Sequence, residues 1–297
     1  MQVSLAQAVY RTICLFEVFQ QPASAAEVQQ FLLYYKAERT EVEEVLELNP
    51  RFKKSFNFYS RRESPNLIWQ RFRQQIFARQ FWPVVLRARK FFPLIPFVRQ
   101  IFVAKDLAFG WPKQNSTLDL FVLTNPQRLF TTWFFFTLLL RLRRLGSFGA
   151  RTTTRLKLAF FCASSQRDLS GLKIGAQDPY LAFWLANLIP IYGTQANDFF
   201  VNNHWLRKVF PNLRHSYPVK SSLRPNLLEK FLRGHLGDLL EARLRLWQGK
   251  STQLYQKKQI KNSILLSKDC FNFENNAGRK KFLRKWQALC ATWSELK

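Results

Sequence analysis

The sequence predicts an α+β fold, a mixed sheet flanked by helices, on three observations. Val98 to Ala104 (VRQIFVA) and Thr117 to Thr124 (TLDLFVLT) are rich in β-branched and aromatic residues and read as strands. They are separated by loop punctuation at Gly110, Pro112, Asn115 and Ser116, and Arg155 to Ala163 (RLKLAFFCA) reads as a third strand. On either side of this region, apolar residues recur at helical spacing. The 297 residues, 47% hydrophobic and 22% charged, suffice for a substantial core and have a globular rather than disordered profile. Thirty phenylalanines against one methionine imply a core packed from large rigid rings.

In chain order, Leu5 to Phe19 is an amphipathic helix carrying Leu5, Ala8, Val9, Ile13, Leu15, Phe16 and Phe19. Pro22-Ala23-Ser24 breaks it. Ser24 with Glu27 three residues on is a capping box that starts a second helix, reaching to about Tyr34. Arg39 to Leu48 is a third helix, and Phe52 to Ser60 (FKKSFNFYS) alternates like a strand pair. This order resembles a winged-helix module. Its third helix, however, carries Glu41, Glu43, Glu44 and Glu47 with Glu38 just ahead, a face that repels phosphates. Protein or intramolecular docking is the preferred reading there, and DNA recognition the alternative.

Asn66 to Phe92 reads as a long helical region interrupted at Pro83. Leu67, Ile68, Phe72, Ile76 and Phe77 form its buried face, with Arg71, Arg73 and Arg79 pointing away. After Asn125-Pro126 a helix runs to about Arg144 and is apolar on every side from Leu129 to Leu142. Arg128 and Arg141 bracket a run shorter than the roughly 20 residues that span a bilayer, so it reads as a buried helix packed on the sheet. The alternative is a membrane-surface contact through Trp133, Phe134, Phe135 and Phe136 beside Arg141, Arg143 and Arg144. Gly146 to Thr154 is a loop. Helices are expected at Pro179 to Ile189, Asn202 to Phe210, Asn226 to Trp247 and Gly278 to Leu296. The helix from Asn226 should bury Leu227, Phe231, Leu232, Leu236, Leu239, Leu240, Leu244 and Trp247 and expose Arg233, Arg243, Arg245 and Lys250. The expected division is a winged-helix-like segment over 1–62, a helical connector over 63–95, the sheet-bearing core over 96–200 and a basic helical part over 201–297.

The net charge of +27 is unevenly placed. Residues 1–50 hold seven acids and three bases, and residues 51–297 hold twelve acids and forty-three bases, a net +31. Such a segment contacts polyanions (RNA, DNA, a ribosome or anionic lipid) or carries considerable self-repulsion. A general basic bias of the source organism's proteins is the alternative. Lys257, Lys258 and Lys261, then Arg279, Lys280, Lys281, Arg284 and Lys285, add a basic C-terminal surface. Phe282 and Trp286 among them could stack bases, although core packing is the preferred role. Cys14, Cys162, Cys270 and Cys290 lack metal-ligand spacing, and His204, His215 and His235 form no zinc motif. Few cysteines and no secretory leader predict free thiols in a reducing cytoplasm. No Walker loop, dinucleotide fingerprint or nucleophile elbow occurs.

Asp119 interrupts an apolar strand, which is costly unless the carboxylate is solvated, paired or bound to a cation. Its surroundings resemble the first motif of the DNA polymerase β-like nucleotidyltransferase superfamily: a Gly-Ser or Gly-Gly pair after one strand, about ten residues, then Asp-x-Asp/Glu on the next. The pair falls on Lys105-Asp106, ten residues follow (Leu107 to Ser116), and the acidic triplet falls on Thr117-Leu118-Asp119. Leu107, Ala108 and Gly110 suit the short helix after the pair. Ile95-Pro96-Phe97-Val98-Arg99, Asp178-Pro179-Tyr180-Leu181-Ala182-Phe183-Trp184 and Asn203-His204-Trp205 extend the similarity to bacterial nucleotidyltransferase-like proteins with an N-terminal winged-helix-like segment.

The resemblance implies a small turn that cradles a triphosphate, and three carboxylates that hold two divalent cations. Here the turn carries bulky Lys105 and acidic Asp106, and Thr117 replaces the first carboxylate with a hydroxyl, a poor magnesium ligand. No acid lies within Arg155 to Ala163, where the third carboxylate is expected, and Asp168 follows only after that strand. Asp119 is thus the residual metal carboxylate, Asp106 a candidate substitute, and Lys105 a point charge for a phosphate. The expectation is a degenerate nucleotidyltransferase that binds nucleic acid, RNA ahead of DNA, or a nucleoside triphosphate, without efficient transfer. The alternatives are an active magnesium-dependent enzyme using Asp119 with Asp106, and a membrane-surface or scaffold protein on the same fold. Arg279, Lys280, Lys281, Arg284 and Lys285 are the expected nucleic-acid contacts, and the acidic N-terminal helices a protein-docking surface.

Overall fold

A computed structural model describes residues 4–63, 65–143, 156–214, 226–258, 265–266, 270–272 and 276–293. The expected loop Gly146 to Thr154, together with Arg144, Arg155, His215, Lys261 and Leu296, lies outside them. The chain begins with α1 (Leu5–Val18), α2 (Ala25–Gln30) and α3 (Arg39–Leu48), followed by a hairpin of β1 (Lys53–Ser55) and β2 (Phe58–Ser60). Ser24 caps α2 through the expected box with Glu27, and the helix ends at Gln30, before the predicted Tyr34. On α3, Val42 and Leu46 turn inward while Glu47 pairs with Lys54 at 2.8 Å and Glu43 with Arg39 at 2.7 Å.

Next comes α4 (Pro65–Arg89), continuous through Pro83 where an interruption was expected. Proline removes one helical hydrogen bond, and the burial of Phe81, Val85 and Ala88 on either side holds the helix together. Its buried face also differs from the expected one. Arg71 is buried and Ile76 is 55% exposed. The guanidinium of Arg71 pairs with Glu27 and covers the rings of Trp111 and Phe58 at 5.2 and 5.7 Å, so tertiary partners override the apolar periodicity.

The central region runs through β3 (Val98–Ala104), α5 (Lys105–Ala108), β4 (Leu118–Thr124), α6 (Leu129–Leu142) and β5 (Leu156–Ala163). It continues with α7 (Pro179–Ala186), β6 (Ile189–Gly193), α8 (Ala196–Asn202) and α9 (Trp205–Val209). The C-terminal elements are α10 (Leu227–Phe231), α11 (His235–Lys258), β7 (Leu265–Leu266), β8 (Cys270–Asn272) and α12 (Asn276–Ala291). The sheet is mixed, in the order β6, β3, β4, β5, β8, β7. β4 and β5 are parallel, and the other neighbours are antiparallel.

Strand alternation divides the core. Phe102, Phe121, Phe160 and Cys162 face one cluster shared with α1, α2, α7, α9 and Trp286 of α12. Ile101, Val103, Leu120, Val122 and Phe161 face the other, shared with Phe81 and Val85 of α4 and Phe130 and Phe136 of α6. The N-terminal helices therefore share one core with the sheet, and Trp286 donates its indole N–H to Arg11 O at 3.1 Å, fastening α12 onto α1.

Two helical expectations are corrected. The single helix from Asn226 is two, α10 and α11, separated at Leu232, Arg233 and Gly234. The break resets the helical phase, so the face expected inside is largely outside: Leu227, Phe231, Leu236, Leu239 and Trp247 are exposed and Leu232 is buried. α11 instead meets α6 through Glu241, Leu244 and Arg245. The Glu241 carboxylate accepts from Phe130 N, Thr131 N and Thr131 Oγ1, satisfying the first turn of α6. α6 itself packs on the sheet but exposes Leu138 and Leu142, and Trp133, Phe134 and Phe135 are half-buried. Among the described residues, no helix is long and apolar enough to cross a membrane.

Candidate functional site

The site forms where β3 hands the chain to α5 and β4 returns beside it. Ala104 and Asp119 are register partners at this end of the antiparallel pair. The turn needs a left-handed residue, and Lys105 supplies it at φ 56°, a conformation that costs a side-chain-bearing residue about 1 kcal/mol relative to glycine. Phe109 N and Trp111 N bond back to Lys105 O and Asp106 O at 2.8 Å each, closing the four-residue helix. Gly110, at φ 74°, lets the chain leave it.

From this turn the Lys105 ammonium reaches Asp119 Oδ2 at 3.1 Å, while Thr117 Oγ1 donates to Oδ1 at 2.9 Å. Asp119 is buried, so the explanation its strand position demanded is an internal ion pair with a supporting hydroxyl. Thr117, where the resemblance implies a first carboxylate, is a hydroxyl donor to Asp119. Asp106 faces the other way and accepts from Ser116 Oγ at 2.7 Å, and Ser116 in turn accepts from Lys113 N at 2.9 Å. Loss of hydration and then the negative charge of Asp119 raise the Asp106 carboxyl above its ordinary range, against the Ser116 hydrogen bond and the charges of Lys105 and Lys113.

On the neighbouring parallel strand, Lys157 is the register partner of Asp119. A second cation thus stands on the strand where a third carboxylate was expected. Asp168 lies beyond the far end of β5 and accepts from Ser170 N and Oγ at 2.8 and 2.9 Å. Among the described residues, no group of three His, Cys, Asp or Glu is placed to hold a metal ion.

The expected basic surface is only partly a surface. Lys280, Lys281, Arg284 and Lys285 are exposed on α12, with Phe282 and Trp286 buried beneath them as core residues. Arg279 is not on that surface. It is 4% exposed and donates to Asp178 Oδ2 at 2.6 Å and Leu172 O at 2.9 Å. Its neighbours on the helix gave no hint, because its partner lies about a hundred residues away.

The other matching segments serve as anchors. Asp178 caps α7 by accepting from Leu181 N and also accepts from Ile174 N. Asn203 is buried, accepts from Leu169 N and Trp205 Nε1, and donates to Arg167 O and Phe199 O. His204 and His235 are exposed. The sequence reading missed an aromatic wall behind the turn: Phe19 lies 5.9 Å from Phe109, 5.5 Å from Trp111 and 4.7 Å from Phe282, linking α12 to the site through tilted ring contacts. The abundance of phenylalanine was the available signal, but not which rings would meet.

No protein-family model matches the chain, and no curated protein or solved structure matches it either.

Proposed function

We propose that this chain is a nucleotidyltransferase-like protein with a degenerate active site, which binds nucleic acid, RNA ahead of DNA, or a nucleotide, without efficient transfer. The observation that carries this reading is the 3.1 Å ion pair between Lys105 and Asp119. A residue at the turn position where the superfamily has glycine fills the space in front of the remaining carboxylate with its own ammonium. Supporting it are the antiparallel β3–β4 pair joined through a left-handed turn and a short helix, and the parallel addition of β5.

Magnesium does not suit this donor set. One carboxylate is engaged by an ammonium and a hydroxyl, a second is turned to Ser116, and a lysine stands beside Asp119 on the neighbouring parallel strand. The exposed cations of α12 suit a phosphate backbone, whose affinity for them falls with salt.

The test incubates the folded protein with each labelled nucleoside triphosphate, magnesium or manganese, and RNA or protein acceptors, beside Asp119→Ala. Absence of transfer, together with salt-dependent RNA binding lost in a Lys280→Glu, Lys281→Glu, Arg284→Glu, Lys285→Glu variant, supports the reading. Metal-dependent label transfer lost in Asp119→Ala would overturn it in favour of an active enzyme. Anionic vesicle binding without RNA binding would overturn it in favour of a membrane-surface protein.

A further inference from the structure

We infer that the groove between α4 and the loop at Lys113 and Gln114 is a site for a nucleobase carrying a phosphate, either a nucleotide within single-stranded RNA or a free nucleotide. The inference deepens the nucleic-acid reading above and rests on it.

The groove encloses about 580 Å³, within the range of small-ligand sites. Its α4 wall presents Trp69, Arg73 and Phe77, which recur every four residues along one helical face, with Gln74 next to Arg73. Lys113 and Gln114 form the opposite wall. No acidic residue is among the described residues that line it, and Arg73 and Lys113 give it two cations.

Three features point to a base with its phosphate. Trp69 is 61% exposed, although a large ring on a helix beside the core would ordinarily be covered. An exposed indole at the mouth of a cationic groove is a platform on which any base can stack. Gln74 is 1% exposed, yet among the described residues neither its amide nitrogen nor its amide oxygen has a hydrogen-bond partner. An unpartnered buried amide is costly, and its adjacent donor and acceptor match the paired acceptor and donor on a base edge. One turn earlier, Arg71 Nε and Nη1 find no partner among the described residues, and the guanidinium covers Trp111, whose indole N–H finds none there either. The polar demand behind the groove therefore exceeds what the described protein groups supply.

The groove is also tied to the turn. Lys113 N donates to Ser116 Oγ, which donates to Asp106, so the Lys113 wall of the groove is hydrogen-bonded to the residue that follows Lys105 in the turn.

The test measures fluorescence anisotropy of a labelled short oligoadenylate at low salt with the full chain and with Trp69→Ala, Gln74→Leu and Arg73→Ala variants. Loss of one stacked base in Trp69→Ala weakens binding about tenfold, within the range of base–aromatic stacking. Gln74→Leu has a signature that a purely structural amide would not give: thermal stability unchanged or raised, because two unpartnered polar atoms are removed, with affinity lowered. Adenosine monophosphate competing as well as the oligomer assigns the site to free nucleotide, and competition by the oligomer alone assigns it to RNA; both support the inference. Equal competition by an abasic oligomer overturns it, as does unchanged affinity in Trp69→Ala and Gln74→Leu. In the latter case RNA is held elsewhere, by α12 for instance, and the broader reading stands. Failure of the wild-type chain to bind oligomer or nucleotide overturns both together.

Discussion

Replacing Lys105 separates two effects that the structure superimposes at one residue. The side chain neutralises Asp119, and the backbone adopts a left-handed conformation that a lysine tolerates poorly. Asp119 has 7% of its side chain exposed and Lys105 has 22%, so the two partners are not equivalent. In Lys105→Met the carboxylate stays buried with the Thr117 hydroxyl but without a counter-charge. The expected cost is about 2–3 kcal/mol, below the full penalty for breaking a deeply buried pair because the ammonium end already meets solvent. In Lys105→Gly the same charge is orphaned while about 1 kcal/mol of backbone strain is relieved, so this variant should be the more stable of the two by that amount. In Asp119→Asn the lysine can extend to water and the amide oxygen still accepts from Thr117, so the loss should be about 1 kcal/mol. Urea unfolding followed by tryptophan fluorescence and circular dichroism measures all three, with coincident transitions as the condition for comparing free energies. The reasoning is refuted if Lys105→Gly is at least as stable as the wild type, or if Asp119→Asn costs more than Lys105→Met.

Asp178→Ala removes a helix cap and leaves the Arg279 charge buried, with an expected loss of about 3–5 kcal/mol. Replacing both partners (Asp178→Asn with Arg279→Met) should cost less than Asp178→Ala alone, as a double-mutant cycle in chemical denaturation would read. The raised carboxyl pKa of Asp106 fixes the sign of its pH effect. The folded state holds the proton more tightly than the unfolded chain, so the contribution is fully present below the ordinary aspartate range and is lost as pH rises through the raised value. Asp106→Asn should accordingly become the more stable protein on going from acid to neutral pH, and parallel melting-temperature profiles would contradict this. Cys290 should react first with a thiol reagent in the native protein, because it is half-buried and its hydrogen bond with Cys14 lowers its thiol pKa. Cys14, Cys162 and Cys270 are buried, and the same hydrogen bond and burial raise the Cys14 thiol. Mass mapping of the first labelled peptide checks the order.

Of the six strands in the central sheet, β3, β4 and β5 were legible as short apolar and aromatic runs, β3 and β4 with β-branched residues, whereas β6, β7 and β8 were not, and Ile189 had been read as the end of a helix. The turn at Lys105 was located by its distance from Asp119 rather than by composition, and no propensity points to lysine at a left-handed position. Long helices were legible in existence but not in facing. Arg71 and Ile76 exchanged their expected environments because the Arg71 guanidinium has a carboxylate and two rings to meet inside, while Ile76 is left exposed. Arg279 left the basic surface for the same reason, and the exposed leucines of α11 followed from a break that shifts phase by a fraction of a turn.

By itself, the sequence determined the α+β composition, the segregation of charge into residues 51–297, and Asp119 as the carboxylate in need of a partner. These depend on local pattern and on burial cost, which neighbouring residues reveal. Tertiary structure alone decided which partner that is, which cations face water, and that α4 and the Lys113 loop enclose a groove with an unpartnered amide inside it. The Lys105–Asp119 and Arg279–Asp178 pairs and the groove between α4 and Lys113 join residues more than ten to about a hundred positions apart. Their energies depend on distances of a few ångströms that periodicity along the chain does not encode.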